Sequence, residues 1–145
     1  MAAAARGTGK IETDRKETEM LAESNAFSGF AVDDLAAARS FYGETLGLKT
    51  SEPMEDVLLS LEHPSGPATM IYVKPDFEPA TYTVLNFPVD DVEATVDELT
   101  ARGVELERYE GFDQDEKGIS RSPAGPLIAW FKDPAGNILA VLEQP

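Results

Sequence analysis

Hydrophobic and polar positions run through this chain in two similar passes. In the first, residues Ala26 to Val32 read as a strand. Leu35, Ala38, Phe41, Tyr42 and Leu46 then recur at helical spacing. Asp33 or Asp34 is placed to cap that helix, because a carboxylate accepts the orphan N–H groups at a helix start. Gly47 is placed to end it in the left-handed conformation. Leu48 to Ser51, Val57 to Glu62 and Thr69 to Val73 read as three further strands, with a Pro- and Gly-rich turn from His63 to Pro67.

After a linker carrying Pro75 and Pro79, the pattern restarts. Thr81 to Val89 reads as a strand, and Asp90 or Asp91 caps a helix whose apolar stripe is Val92, Val96 and Leu99. Gly103 ends that helix, and Val104 to Tyr109 reads as the next strand. An acidic loop, Glu110 to Gly118, precedes strands at Leu127 to Lys132 and Ile138 to Glu143. Between these two, Pro134 and Gly136 mark a hairpin turn.

The repeat is visible in the residues themselves. Phe30-Ala31-Val32-Asp33-Asp34-Leu35 matches Phe87-Pro88-Val89-Asp90-Asp91-Val92 at an offset of 57, and Gly47 matches Gly103 at an offset of 56. The expected fold is a single α+β domain over residues 25–145. It consists of two β-α-β-β-β modules, about 26–74 and 81–143, whose curved mixed sheets surround a cleft. Residues 1–24 lack hydrophobic periodicity and are expected to form a flexible arm, with a helical turn near Glu17 to Glu23. Met20 within it is a second candidate translation start.

Composition narrows the chemistry. A length of 145 residues suits one domain with its own core. There is no cysteine, which excludes disulfides, thiolate metal sites and cysteine nucleophiles. The formal charge of −15 repels phosphate backbones, so no nucleic-acid partner is expected, and it attracts cations. No apolar run reaches the roughly 20 residues that span a bilayer, and the apolar start, Met1 to Ala5, is shorter than a signal-peptide core of about 7–15. No membrane partner and a cytoplasmic location are expected.

Val32-Asp33-Asp34-Leu35, Phe41-Tyr42, Leu46-Gly47-Leu48, Val89-Asp90-Asp91-Val92 and the hairpin from Phe131 to Asn137 together resemble the vicinal oxygen chelate superfamily. That superfamily includes glyoxalase I, extradiol dioxygenases, methylmalonyl-CoA epimerase and the bleomycin-resistance proteins. The likeness covers about Ala26 to Glu143 and implies a homodimer. In metal-dependent members it implies a His or Gln in the first strand, a Glu in the fourth, a His in the fifth and a Glu in the eighth. The equivalent positions here are Phe27, Tyr72, Val84 and Ala140, none of which is a carboxylate or imidazole ligand. No metal and no cofactor are therefore expected. The single histidine, His63, reads as an exposed turn residue.

Apolar and aromatic residues in place of ligands make an organic-ligand pocket out of an ion site. Its candidate lining is Phe27, Met70, Tyr72, Val84, Asn86, Phe112, Trp130 and Ala140. The loop Glu110 to Gly118 is a candidate lid, with Asp113, Asp115 and Glu116 bringing negative charge to a bound cation. The reading placed first is a metal-free small-molecule binding protein that sequesters a cationic or aromatic compound, similar to the bleomycin-resistance branch associated with antibiotic resistance. A metal-independent lyase- or isomerase-like enzyme, with Tyr72, Glu62 or Glu107 as acid or base, is the second. A non-catalytic dimeric scaffold is the third.

Overall fold

A computed structural model describes residues 20–121, 123 and 125–144. Most of the expected N-terminal arm lies outside these residues; within them, Met20 to Glu23 forms an exposed turn. The first module runs β1 (Gly29–Val32), α1 (Leu35–Arg39), a π-helical segment (Ser40–Thr45), β2 (Lys49–Met54), β3 (Leu58–Glu62) and β4 (Thr69–Val73). Its sheet has the order β1-β4-β3-β2, with β1 parallel to β4 and the other pairs antiparallel. The second module runs β5 (Thr83–Val89), α2 (Val92–Ala101), β6 (Ile128–Lys132) and β7 (Ile138–Glu143), in the order β5-β7-β6 with β5 parallel to β7. Among the described residues, no helix is long and apolar enough to cross a membrane.

Each helix starts where its cap dictates. The second aspartate of each pair is the cap. Asp34 Oδ1 accepts from the Ala37 N–H at 3.1 Å, and Asp91 Oδ1 accepts from the Ala94 N–H at 3.0 Å. Gly47 and Gly103 follow the helices at φ 77° and 87°, a region closed to most side chains.

The slip between offsets 57 and 56 has a structural counterpart. The Val104 N–H closes the second helix on Leu99 O, five residues back, whereas the Leu48 N–H closes the first on Tyr42 O, six residues back. Tyr42 and Leu99 stand 57 apart and Leu48 and Val104 stand 56 apart, so the first module holds one more residue between these points. The π-helical turn, with its Leu46 N–H donating to Phe41 O at 2.9 Å, absorbs it.

Both modules share one core. Phe30, Val32, Leu59, Leu61 and Ile71 from the first sheet meet Phe131, Leu139 and Val141 from the second, with Leu35, Tyr42, Val92, Val96 and Leu99 from the helical segments. A buried polar clasp ties the modules together inside it. Tyr42 Oη donates to Asp133 Oδ2 at 2.8 Å, and Asp133 Oδ1 accepts the N–H groups of Ala135 and Asn137 at 3.0 and 2.8 Å. The Asn137 amide then donates to Ala31 O on β1 at 2.9 Å. The hairpin expected from Pro134 and Gly136 is thus also a joint between halves.

One expected strand is not observed. Val104 to Tyr109 forms no strand: it makes one isolated bridge, Leu106 with Phe131, and one bond from the Glu107 N–H to Trp130 O. The Gln114 side chain has taken the backbone groups a ladder would use. Its Oε1 accepts from the Tyr109 N–H at 2.8 Å and its Nε2 donates to Glu107 O at 2.9 Å. The second sheet is therefore three-stranded. β1 and β5 each start a few residues later than the hydrophobic run suggests, at Gly29 and Thr83.

Candidate functional site

Strand alternation divides the candidate residues between the core and the opposite face. In the first sheet Phe30, Ile71 and Leu59 point into the core. Their neighbours fall in rows on the other face: Gly29 beside Met70 and Ser60, and Ala31 beside Tyr72 and Leu58. A Cβ on Gly29 would stand 2.7 Å from Met70 O, so glycine is what lets β1 lie this close to β4. In the second sheet Asn86, Ala140 and Trp130 form one row. Val84 sits in the register shift between Thr83 and Leu85.

A cavity of about 680 Å³ opens between Ser28 and the β1 residues Gly29 to Ala31 on one side and the start of β5 on the other. Of the eight candidate lining residues it includes Tyr72 and Val84. The linker contributes much of its wall, notably Lys74, Asp76, Phe77, Glu78 and Tyr82, which sequence reasoning left out, and Asn137 of the β6–β7 hairpin also lines it. Their signal was the aromatic and acidic content of a segment read only as a Pro-containing connector. Lys74 and Asp76 are ion-paired there. That hydrogen bond first, then the attraction of the opposite charge, raises the lysine pKa, and the same bond lowers that of the aspartate.

The other candidates gather elsewhere. Trp130, Ala140 and Ile138 form a second buried cluster against which Tyr109 and Ile128 pack. Phe112 packs on it at a tilt of 59°, its ring centroid 4.9 Å from that of Trp130, while Tyr109 and Trp130 meet edge to face at 5.6 Å. Phe112 itself is 53% exposed. Phe27 lies before β1, is 62% exposed and lines no part of the cavity. Met70 is half-buried on the first sheet and Asn86 is exposed.

The loop from Glu110 to Gly118 is anchored at its C-terminal half. Asp115 Oδ1 accepts the N–H groups of Lys117 and Ile119, both at 2.9 Å, and Asp115 Oδ2 pairs with Arg121 at 2.8 Å. Burial pushes the Asp115 carboxyl up, but Arg121 and the two N–H groups outweigh it and hold it below the usual carboxylate value. Asp115 is thus a loop staple, not a charge offered to a ligand.

A divalent ion does not fit this donor set. Among the described residues, no three or more His, Cys, Asp or Glu side chains converge as ligands. His63 instead shares a 2.8 Å hydrogen bond with Thr69 Oγ1 beside its turn.

Comparison with known proteins follows the same lines. The model of the Glyoxalase/Bleomycin resistance protein/Dioxygenase superfamily matches residues 25–141. Comparison with curated proteins finds no match. Among solved structures, a superfamily member from Sphaerobacter thermophilus is 21% identical with a TM-score of 0.64, covering 81% of this chain and 94% of its own. TnmS3, an antibiotic binding protein from Streptomyces, is 23% identical with a TM-score of 0.64 over 82% and 93%. Lactoylglutathione lyase from Agrobacterium tumefaciens is 23% identical with a TM-score of 0.58 over 83% and 93%. At these identities the likeness establishes the fold.

Proposed function

The chain belongs to the Glyoxalase/Bleomycin resistance protein/Dioxygenase superfamily, and from that premise we propose that it binds a small organic molecule, aromatic or cationic, without a metal ion. The observation that carries this reading is what stands on the sheet faces away from the core. Tyr72 and the row Asn86, Ala140, Trp130 present aromatic, apolar and amide groups where an ion site needs converging carboxylates and imidazoles. The formal charge of −15 adds long-range attraction for a cation. The likeness to an antibiotic binding protein is consistent with sequestration of such a compound. A homodimer belongs to the same proposal, checked by light scattering of the purified chain.

Calorimetric titration with a planar aromatic cation, 9-aminoacridine, tests the reading, alongside elemental analysis of untagged protein. Saturable binding to metal-free protein is expected. One equivalent of tightly bound divalent metal per chain, with a raised melting temperature, would overturn the metal-free reading. Failure of every aromatic compound tried to bind would overturn the binding one.

A further inference from the structure

Among the described residues, the Tyr109 hydroxyl is the one side-chain polar group sealed from solvent with no hydrogen-bond partner. Such an atom costs roughly 1–3 kcal/mol relative to a satisfied one, and ordinary packing gives no return for it. Tyr109 belongs to a triad of rings with Trp130 and Phe112, its centroid 5.6 and 6.5 Å from theirs. Two members of the triad are fixed. Trp130 is 9% exposed and sits on β6, and the Tyr109 backbone is held by Gln114 Oε1 at 2.8 Å. The third is not. Phe112 is 53% exposed and lies at the tip of a loop whose Gly111 has φ 91°.

The anchoring of that loop separates tip from base. Gln114 and Asp115 bind Tyr109, Glu107, Lys117, Gly118 and Ile119 through side-chain hydrogen bonds, whereas the backbone bond from Phe112 to Tyr109 is a long 3.3 Å. The Arg121 N–H holds Asp113 O at 3.4 Å, so the part free to swing without disturbing Tyr109 or Trp130 is Glu110 to Phe112. What then opens is the side of Trp130 that the tilted Phe112 ring covers, next to Tyr109.

We propose that Phe112 is the internal occupant of a second aromatic subsite, and that the ligand displacing it is a planar heteroaromatic molecule whose ring nitrogen or carbonyl accepts a hydrogen bond from Tyr109 Oη. This rests on the small-molecule reading above and specifies its ligand class. Burial first, and the nearby Glu107 carboxylate second, raise the Tyr109 pKa, so the hydroxyl keeps its proton and acts as donor. Only an acceptor satisfies it.

The chain has a single tryptophan, so its one indole N–H resonance reports on Trp130 alone. The probes are quinoline, which has a ring-nitrogen acceptor, and N-methylquinolinium, equally planar but without it. Quinoline is expected to shift the indole resonance saturably. Phe112→Ala should tighten both probes by on the order of threefold to tenfold, because the internal competitor is gone. Tyr109→Phe should weaken quinoline by about fivefold to tenfold, leave N-methylquinolinium unchanged and leave the melting temperature undiminished. No indole shift in either wild type or Phe112→Ala overturns the subsite. Looser binding in Phe112→Ala overturns its role as competitor, and equal weakening of both probes in Tyr109→Phe overturns the hydroxyl as determinant. If 9-aminoacridine binds while quinoline leaves Trp130 unmoved, the binding function stands and this subsite falls.

Discussion

Tyr42→Phe isolates the clasp that joins the two modules. The tyrosine is fully buried, and its ring keeps the same neighbours in the variant: Phe41 edge-on at 5.2 Å and Phe30 at 6.1 Å. What is lost is the 2.8 Å bond to Asp133 Oδ2. Hydrogen bonds to charged groups contribute about 1.5–3 kcal/mol. Asp133 retains the N–H groups of Ala135 and Asn137 and the Asn137 amide, so the loss falls at the lower end, about 1.5–2 kcal/mol. In a chain of this size that lowers Tm by about 5–8 °C. The assay is urea unfolding of wild type, Tyr42→Phe, Asp133→Asn and the double variant, with an unchanged m-value expected. The two residues should couple by about 1 kcal/mol or more. A loss below about 0.5 kcal/mol, or additivity within about 0.3, would refute the clasp. The pH dependence supplies a second check. Burial first and Asp133 second hold the Tyr42 proton well above the usual tyrosine range. The folded state thus retains a proton that the unfolded chain releases above about pH 10. Stability from this group is present below that value and declines as pH rises past it, so Tyr42→Phe should show a shallower alkaline decline.

Two further outcomes follow from the geometry. Gly29→Ala drives a methyl to 2.7 Å from Met70 O and should cost about 1–3 kcal/mol by parting β1 from β4; a neutral effect in urea unfolding would show that β1 lies further off. Asp115→Asn should destabilise the chain at pH 7, because the Asp115 pKa is lowered by Arg121 and two backbone N–H groups against the opposing effect of burial. Its stabilisation is present above the unfolded value of about 3.9 and is lost as pH falls through the folded one. The gap from wild type should therefore close towards pH 3, and an undiminished gap there would remove the staple.

Local chemistry was legible in the sequence wherever a residue type acts on its own backbone. The aspartate caps, Gly47, Gly103 and the Pro134–Gly136 turn are of that kind, and their repetition was enough to give the fold class. Choosing Asp34 over Asp33 and Asp91 over Asp90 needed coordinates, since either aspartate precedes the helix in the sequence. Long-range competition was not legible. Val104 to Tyr109 has the pattern of a strand, yet Gln114 intercepts its backbone groups. Asp115 looks like one more surface acid until the loop turns two N–H groups onto it. The site was half readable. Asn86, Ala140 and Trp130, named as candidate lining, stand in one row of the second sheet. Counting back from a cap, however, carried Phe27 beyond the actual start of β1, and a cavity wall built from a linker has no period to detect.

The π-helical turn also bears on how the halves are compared. The six-residue closure at Leu48 and the five-residue closure at Val104 leave the first half one residue longer at this point. Superposing the halves letter by letter without a gap between Tyr42 and Leu48 carries a one-residue error into the strands beyond. In a strand, one residue exchanges the inner face for the outer. Any transfer of site residues between halves, or from a relative with an unbroken helix, has to open that gap first.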